Sequence, residues 1–311
     1  MLKKLLFFYA RRFFFFFFKY GRRSFRSHQN VIEMWATKWH VKEGISEDIM
    51  SFVTNLKQTL PGKCKPLIKT HKAKPYPLRL LLSGTGTPVQ PISKLVQIAI
   101  SHLTGNLPYP VIDTNELLQK VDKINEKYSP LPDVACFAVC GIVSLYPNVN
   151  NEMRVPATGK QNKTSNKKKL PKENPNPKLP SRCILEALDI ALHGDACQYM
   201  DGDGRTLFAK SNHGTAMGPC HACDYVDIFM GEPDREPVPY CSVTLLPSRA
   251  LPLNKNELMY LDWSRFRDNG ITTLPNSEYV SAFEQHLQNL PPPGFKWVVT
   301  HGKEAEYLDV K

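Results

Sequence analysis

Trp263-Ser264-Arg265-Phe266-Arg267-Asp268-Asn269-Gly270-Ile271-Thr272-Thr273-Leu274 is the stretch that decides the fold. Leu258-Met259-Tyr260-Leu261 and Trp263 to Phe266 precede Asn269-Gly270, and Ile271 to Leu274 follow it. Asn-Gly between runs rich in aromatic and β-branched residues is the strongest short hairpin signal. The expectation is an antiparallel strand pair turning at Asn269-Gly270, with one carboxylate, Asp268, beside the turn. Downstream, Ser277 reads as the cap of a helix with Val280, Phe283, Leu287 and Leu290 on one face. Two further short strands are expected at 295–299 and 306–310.

Upstream, Val134-Ala135-Cys136-Phe137-Ala138-Val139-Cys140 continues through Gly141 into Ile142-Val143. An apolar run of this length fits a strand covered on both faces. Pro66 to Thr70 and Pro77 to Gly84 read as a strand pair around a basic turn. Helical spacing predicts helices within 31–62, where Ser46-Glu47-Asp48 opens the second stretch, and over 91–104, 114–127, 182–193 and 219–231. Short antiparallel strands mixed with helices give an α+β fold, a layer of helices on an antiparallel sheet.

The 311 residues, 42% hydrophobic, are enough to bury a core and exclude wholesale disorder. Net charge is +11, yet residues 1–26 alone carry +8 and residues 154–178 carry +7. The remainder is therefore net negative by 4. Charge alone gives the folded part only a weak case as a nucleic-acid binder. Residues 1–30 read as a basic, phenylalanine-rich extension of low complexity. Arg11-Arg12 interrupts its apolar run, and no small-residue cleavage site follows, so neither a signal peptide nor a bilayer span is expected. Residues 151–180, rich in Lys, Asn and Pro, read as a disordered insert. The eight cysteines show no disulfide framework. Cys220-His221-Ala222-Cys223 lacks a second pair, so thiols in a reducing compartment are the better reading than zinc.

Seven short motifs occur in an order that resembles the reverse transcriptases of Penelope-like retroelements. They are Pro66-Leu67-Ile68-Lys69-Thr70-His71-Lys72, Pro77-Leu78-Arg79-Leu80, Ile142-Val143-Ser144-Leu145-Tyr146-Pro147-Asn148, Gly214-Thr215-Ala216-Met217-Gly218, Ile228-Phe229-Met230-Gly231-Glu232, Arg265-Phe266-Arg267-Asp268 and Tyr307-Leu308-Asp309-Val310. Each is weak alone; the order across about residues 65–311 carries the resemblance.

The resemblance implies a fingers-and-palm polymerase core, its antiparallel palm sheet with helices on one face and the thumb missing. Residues 31–130 would be fingers-like and residues 131–311 palm-like. It implies an RNA template, a DNA primer and dNTP as partners, Mg²⁺ or Mn²⁺ as cofactor, an intracellular location (nuclear or cytoplasmic), and no membrane. Nucleotidyl transfer uses two divalent ions, and hard ions need carboxylate oxygens. The family's carboxylate positions fall on Gly141, Asp268 and Asn269, so Asp268 is the one carboxylate left, as catalytic and metal-binding residue. Turnover is therefore expected to be suppressed. Arg79, Lys69 and Lys72 would hold the triphosphate, Tyr146 would pack under the incoming sugar, and Gly214 and Gly218 would let the backbone approach template and nucleotide. Read from the residues alone, Tyr146 also suits a core aromatic, the glycines a plain turn, and the cations a solvated surface. A non-catalytic nucleic-acid binder and a non-functional relic are the competing functional readings.

Overall fold

The computed structural model describes residues 23–55, 60–70, 78–105, 107, 110–128, 133–149, 179–194, 196–200, 206–210, 214–231, 263–274, 276–290, 294–308 and 310. The basic insert, the first 22 residues, the basic turn after Thr70, and the Leu258–Leu261 run lie outside them. The chain forms two compact units, residues 1–106 with 149–228, and residues 107–148 with 229–311.

In the first unit, helices α1 (Arg23–Val41) and α2 (Glu47–Thr54) open the chain. Helix α1 begins eight residues inside the stretch whose composition reads as extension. Ser46 caps α2 as its sequence predicts, its hydroxyl accepting from the Ile49 amide at 3.3 Å. Strands β1 (Gly62–Ile68) and β2 (Leu78–Ser83) pair antiparallel, as expected of the Pro66 and Pro77 stretches. Helix α3 (Gln90–Thr104) and helix α6 (Ser181–His193) bury their apolar faces. Each buried Leu or Ile there contributes about 1.5–3 kcal/mol.

Two strands of this unit were missed by the sequence reading. Strands β4 (Ala196–Met200) and β5 (Thr206–Lys210) complete a sheet of order β2-β1-β4-β5, in which β1 and β4 run parallel. That sheet is mixed, not antiparallel throughout. The signal lay in Asp201-Gly202-Asp203-Gly204, turn-forming residues between two short runs. Helix α7 (Ala222–Met230) then forms where a helix was expected and ends just past the boundary between the units.

The second unit holds helix α4 (Thr114–Tyr128), strand β3 (Cys136–Ile142), a short helix α5 (Leu145–Asn148), strands β6 (Ser264–Phe266) and β7 (Asn269–Leu274), helix α8 (Tyr279–Asn289) and strand β8 (Trp297–Gly302). Its sheet is antiparallel throughout, in the order β6-β7-β3-β8. Strand β3 lies between two neighbours and alternates buried with half-buried residues, so its unbroken apolar run is explained by cover on both sides. Phe137, Val139 and Ile271 pack with Val111, Leu117, Ile124 and Tyr307. The opposite face meets α8: Trp263 makes edge contacts with Phe283 and Trp297, ring centroids 6.2 Å apart in both. Helical side chains thus meet both faces.

Three local expectations are corrected. The hairpin does not turn at Asn269-Gly270. Phe266 pairs with Asn269, so the two turn residues are Arg267 and Asp268, with Arg267 at φ 57°. Asn269 and Gly270 already belong to β7, opposite Gly141 and Cys140. The reason is Trp263: a Cβ on Gly270 would lie 2.0 Å from its indole ring, so that glycine makes room for an aromatic and not for a turn. Ser277 is not the cap of α8. Glu278 takes that position without a side-chain bond, and the Asn276 side chain accepts from the Glu278 amide at 2.8 Å. Among the described residues of 306–310 there is no strand; Tyr307 and Val310 exchange backbone bonds, with Leu308 at φ 51°.

Candidate functional site

The end of the second unit's sheet brings together Gly141, Asp268 and Asn269, the three positions that the resemblance marks for carboxylates. Val298, Gly141, Asn269 and Phe266 follow one another across β8, β3, β7 and β6. A Cβ built on Gly141 would lie 3.3 Å from Asn269 Oδ1 and 3.9 Å from the Asp268 carbonyl oxygen. Position 141 therefore faces the turn, and a side chain there would point at residues 268 and 269. Asp268 is half-buried and Asn269 exposed.

The turn is held by three donors on three successive carbonyls. Arg265 Nη1 donates to the Arg267 oxygen at 2.9 Å. The Ile142 amide donates to the Asp268 oxygen at 2.8 Å. The Tyr307 hydroxyl donates to the Asn269 oxygen at 3.0 Å. Such bonds are worth about 0.5–1.5 kcal/mol each, more where the donor is charged. Together they fix a turn whose first residue takes a conformation that costs a non-glycine residue energy. Arg265 is fully buried, and its carbonyl accepts from the Val111 amide at 2.8 Å. Tyr307 is buried as well, and that burial raises its hydroxyl above the ordinary phenol value, which keeps it a donor. Both residues stand within the seven motifs, whose order carries no sign of this role. Burial of a charged and a phenolic group behind a turn is invisible to sequence spacing.

Tyr146 lies in the same unit, on α5, only 9% exposed. The backbone enters α5 through Ser144 at φ 56°, and the Asn148 side chain donates to the Val143 carbonyl at 3.1 Å. Asp133 lies beyond the far end of β3, where its carbonyl accepts from the Lys303 ammonium. It brings no carboxylate to the Gly141 end.

The remaining candidates lie in the first unit. Gly214 has φ 65° and Gly218 φ 131°. The segment they bracket docks on β2: the Leu82 amide donates to the Met217 carbonyl at 2.8 Å, and Leu81 bridges to Met217 in parallel. A Cβ on Gly218 would stand 1.9 Å from the Leu82 oxygen, so its glycine is required by this close approach. Arg79 is exposed on β2, two residues from that bridge, and Lys69 follows the end of β1. Lys72 lies outside the described residues. Beside the docked segment a cleft of about 50 Å³ is lined by Ser83, Gly84, Thr87, Gln90, Gly218 and Cys220 among others. Cys220 is half-buried and Cys223 exposed.

Metal chemistry tests this arrangement directly. Two hard divalent ions need several oxygen ligands held within about 2.0–2.6 Å. Asp268 is the one carboxylate on the Gly141–Asn269 row. Among the described residues no three His, Cys, Asp or Glu side chains converge. Among the described residues the donor set does not fit a two-metal centre.

No protein-family model matches the chain, and no curated protein does. Solved structures do match it. The apo telomerase of Candida tropicalis, truncated from its C-terminal domain, aligns with a TM-score of 0.51 at 13% identity, over 80% of this chain and 51% of that one. The telomerase of Candida albicans in complex with a TWJ fragment of telomeric RNA aligns with a TM-score of 0.52 at 12% identity, over 85% of this chain and 46% of that one. The BmCPV RNA-dependent RNA polymerase at its elongation state aligns with a TM-score of 0.50 at 9% identity, over 91% of this chain and 24% of that one. The chain thus spans about half the length of those telomerases and about a quarter of that polymerase. Its fold is that of a fingers-and-palm polymerase core, α+β, with an antiparallel sheet carrying the Gly141 strand and the Asp268 hairpin.

Proposed function

We propose that this chain is a reverse-transcriptase-type polymerase core of retroelement origin that engages a template and primer without extending them. The observation that carries the proposal is the Gly141–Asn269 pair. The strand end and hairpin of a polymerase palm are both built, yet two of the three positions that would ligate metal hold glycine and an amide. Losing two anionic ligands costs several kcal/mol of metal binding and transition-state stabilisation, each 1.4 kcal/mol being about tenfold in rate. The retroelement assignment, Penelope-like in particular, rests on the order of the seven motifs. An RNA template and DNA primer follow from that assignment, and a telomerase solved with RNA is among the structures with this fold. Residues 31–130 serve as fingers and 131–311 as palm in this reading, with Arg79, Lys69 and Lys72 toward phosphate and Tyr146, Gly214 and Gly218 toward the nucleotide and template.

Primer extension on an RNA template, with Mg²⁺ or Mn²⁺, tests it. The natural chain is compared with Gly141→Asp combined with Asn269→Asp, and template–primer affinity is measured in parallel. Salt-sensitive binding by both, with extension by the double variant alone, is the expected result. Extension by the natural chain would overturn the proposal. Absence of binding by both would reject template engagement and leave the relic reading.

A further inference from the structure

The parallel pair β1–β4 of the first unit places two thiols side by side. In its register Cys197 stands opposite Gly62, so Cys64 lies two residues further along β1 on the same face. A Cβ on Gly62 would lie 2.3 Å from the Ser83 carbonyl oxygen and 3.0 Å from the Leu82 side chain, so the glycine there makes room for β2. Cys197 and Leu82 form a buried cluster, and Cys64 packs against it together with Ala216. Cys197 is 1% exposed, whereas Cys64 is half-buried. The Cys197 thiol hydrogen-bonds the Cys64 sulfur and holds that thiol below its ordinary value, against the opposing effect of burial.

We propose that Cys64 and Cys197 are a redox pair, closed to a disulfide by a peroxide and reopened by a thiol reductant. Cys64 is the attacking sulfur, being the more accessible of the two. Its thiolate takes one peroxide oxygen; the O–O bond breaks and the other oxygen leaves as water, giving a sulfenic acid. Cys197 then attacks the Cys64 sulfur, loses its proton and expels the hydroxyl as a second water. The two thiols lose two electrons and the peroxide gains them.

The diagonal offset of the two cysteines gives this bond its character. An unstrained disulfide wants Cα atoms about 4.4–6.8 Å apart. Residues offset by two on neighbouring strands are about 7–8 Å apart. Closure therefore pulls β1 and β4 against their register, and strained disulfides are the ones most easily reduced again. Leu82 lies in the same cluster, its amide bonds Met217, and its carbonyl is what Gly218 is built against. Closure thus loosens the docking of residues 214–218 on β2. This inference does not depend on the polymerase reading.

The experiment treats the reduced full-length chain with hydrogen peroxide, blocks free thiols, and maps peptides by mass spectrometry, with limited proteolysis in parallel. The expected result is one cross-linked Cys64–Cys197 peptide that disappears with dithiothreitol. Cleavage within 214–218 rises several-fold in the oxidised chain and returns to baseline on reduction. Cys197→Ser leaves a Cys64 sulfenic acid that dimedone captures, and Cys64→Ser yields neither product. The proposal is overturned if Cys64 stays reduced, over-oxidises without a cross-link, or pairs with a different cysteine. Template binding is measured separately, so failure here and failure of the polymerase reading are distinguishable.

Discussion

Gly141 and Asn269 face each other across β3 and β7, with 3.3 Å between the Cβ that Gly141 lacks and the oxygen of the Asn269 amide. Restoring carboxylates at both positions sets three like charges on one turn with Asp268. Two unit charges 4 Å apart repel by about 1–4 kcal/mol between water-like and surface-like dielectric. Without metal, the Gly141→Asp, Asn269→Asp variant therefore melts lower than the natural chain, by about 2–4 °C for each kcal/mol. Adding Mn²⁺ reverses that loss and raises the variant's Tm further, while the natural chain responds little. Differential scanning fluorimetry across a Mn²⁺ series checks this. An equal Mn²⁺ response in the natural chain would mean that a ligand set other than the Gly141 row holds the ion.

Gly270 and Trp263 give a packing test of the hairpin. Alanine at 270 puts a methyl 2.0 Å from the indole, a clash that neighbouring atoms relieve only by moving. Overpacking of this kind costs about 1–3 kcal/mol. Trp263→Leu alone also destabilises, since a fully buried aromatic is lost. The double variant is predicted to be less unstable than the two single losses summed, by at least about 0.5 kcal/mol. Urea denaturation of the four proteins checks it. Strict additivity would show that Gly270 is needed for its backbone and not for Trp263.

That pair also shows where the sequence was legible and where it was not. Asn269-Gly270 correctly announced a hairpin, and the apolar run at 134–142 correctly announced a covered strand. Both signals are local, so both survived. The turn itself shifted by two residues, because its register is set by β3 and by an indole six residues before Asn269, neither of which a dipeptide encodes. The resemblance pointed to Gly141, Asp268 and Asn269, and the pairing of β3 with β7 brings these three positions together. The clamp on the turn was not: Arg265, Ile142 and Tyr307 donate from three separate elements, and their convergence is a tertiary fact. Strands β4 and β5 escape the sequence for a related reason, since their short, partly polar runs gain their order from pairing, β4 with β1 and β5 with β4.

Glycines at 218 and 105 make opposite demands on the same change. Gly218→Ala forces a Cβ to 1.9 Å from the Leu82 carbonyl oxygen at φ 131°, so both space and backbone oppose it. A loss of about 3 kcal/mol or more is expected, with released docking of residues 214–218. Gly105, at φ −65° after α3, has nothing within 4 Å of its would-be Cβ. Gly105→Ala is expected to stabilise by about 0.4–1 kcal/mol by restricting the unfolded chain. Chemical denaturation of the two variants checks the contrast, and equal effects at both positions would contradict it.

Tyr307→Phe removes one of the three donors on the hairpin turn, together with a longer bond to the Ser264 carbonyl at 3.5 Å. The Asn269 carbonyl loses its side-chain partner, a cost of about 1 kcal/mol, or up to about 3 if water cannot replace it. Hydrogen exchange of the hairpin amides is expected to quicken about five-fold or more, while α8 and β8 amides change little. Uniform acceleration through the whole unit would instead mark Tyr307 as a general core residue without a particular hold on the turn.

Glu186 and Cys183, one turn apart on α6, set opposite limits to the pH range of stability. Partial burial pushes the Glu186 carboxyl up, but bonds from Lys38 at 2.7 Å and Trp39 Nε1 at 2.9 Å, together with Arg182, hold it below the usual carboxylate value. A depressed carboxylate stabilises the fold above its unfolded value, about 4.3, and that contribution fades as pH falls through the folded one. Burial, helped by the charge of Glu186, lifts the Cys183 thiol to about 12. A raised thiol stabilises below its unfolded value of about 8.5 and loses that contribution as pH climbs from there toward 12. The expected profile is a plateau between about pH 5 and 8.5 with a separate decline on each side. Glu186→Gln flattens the acid limb, and Cys183→Ala flattens the alkaline limb while lowering the plateau through lost packing. Urea midpoints measured from pH 3 to pH 11 decide it, and an alkaline limb unchanged in Cys183→Ala would assign that limb to another buried group, with Tyr307 the first to replace.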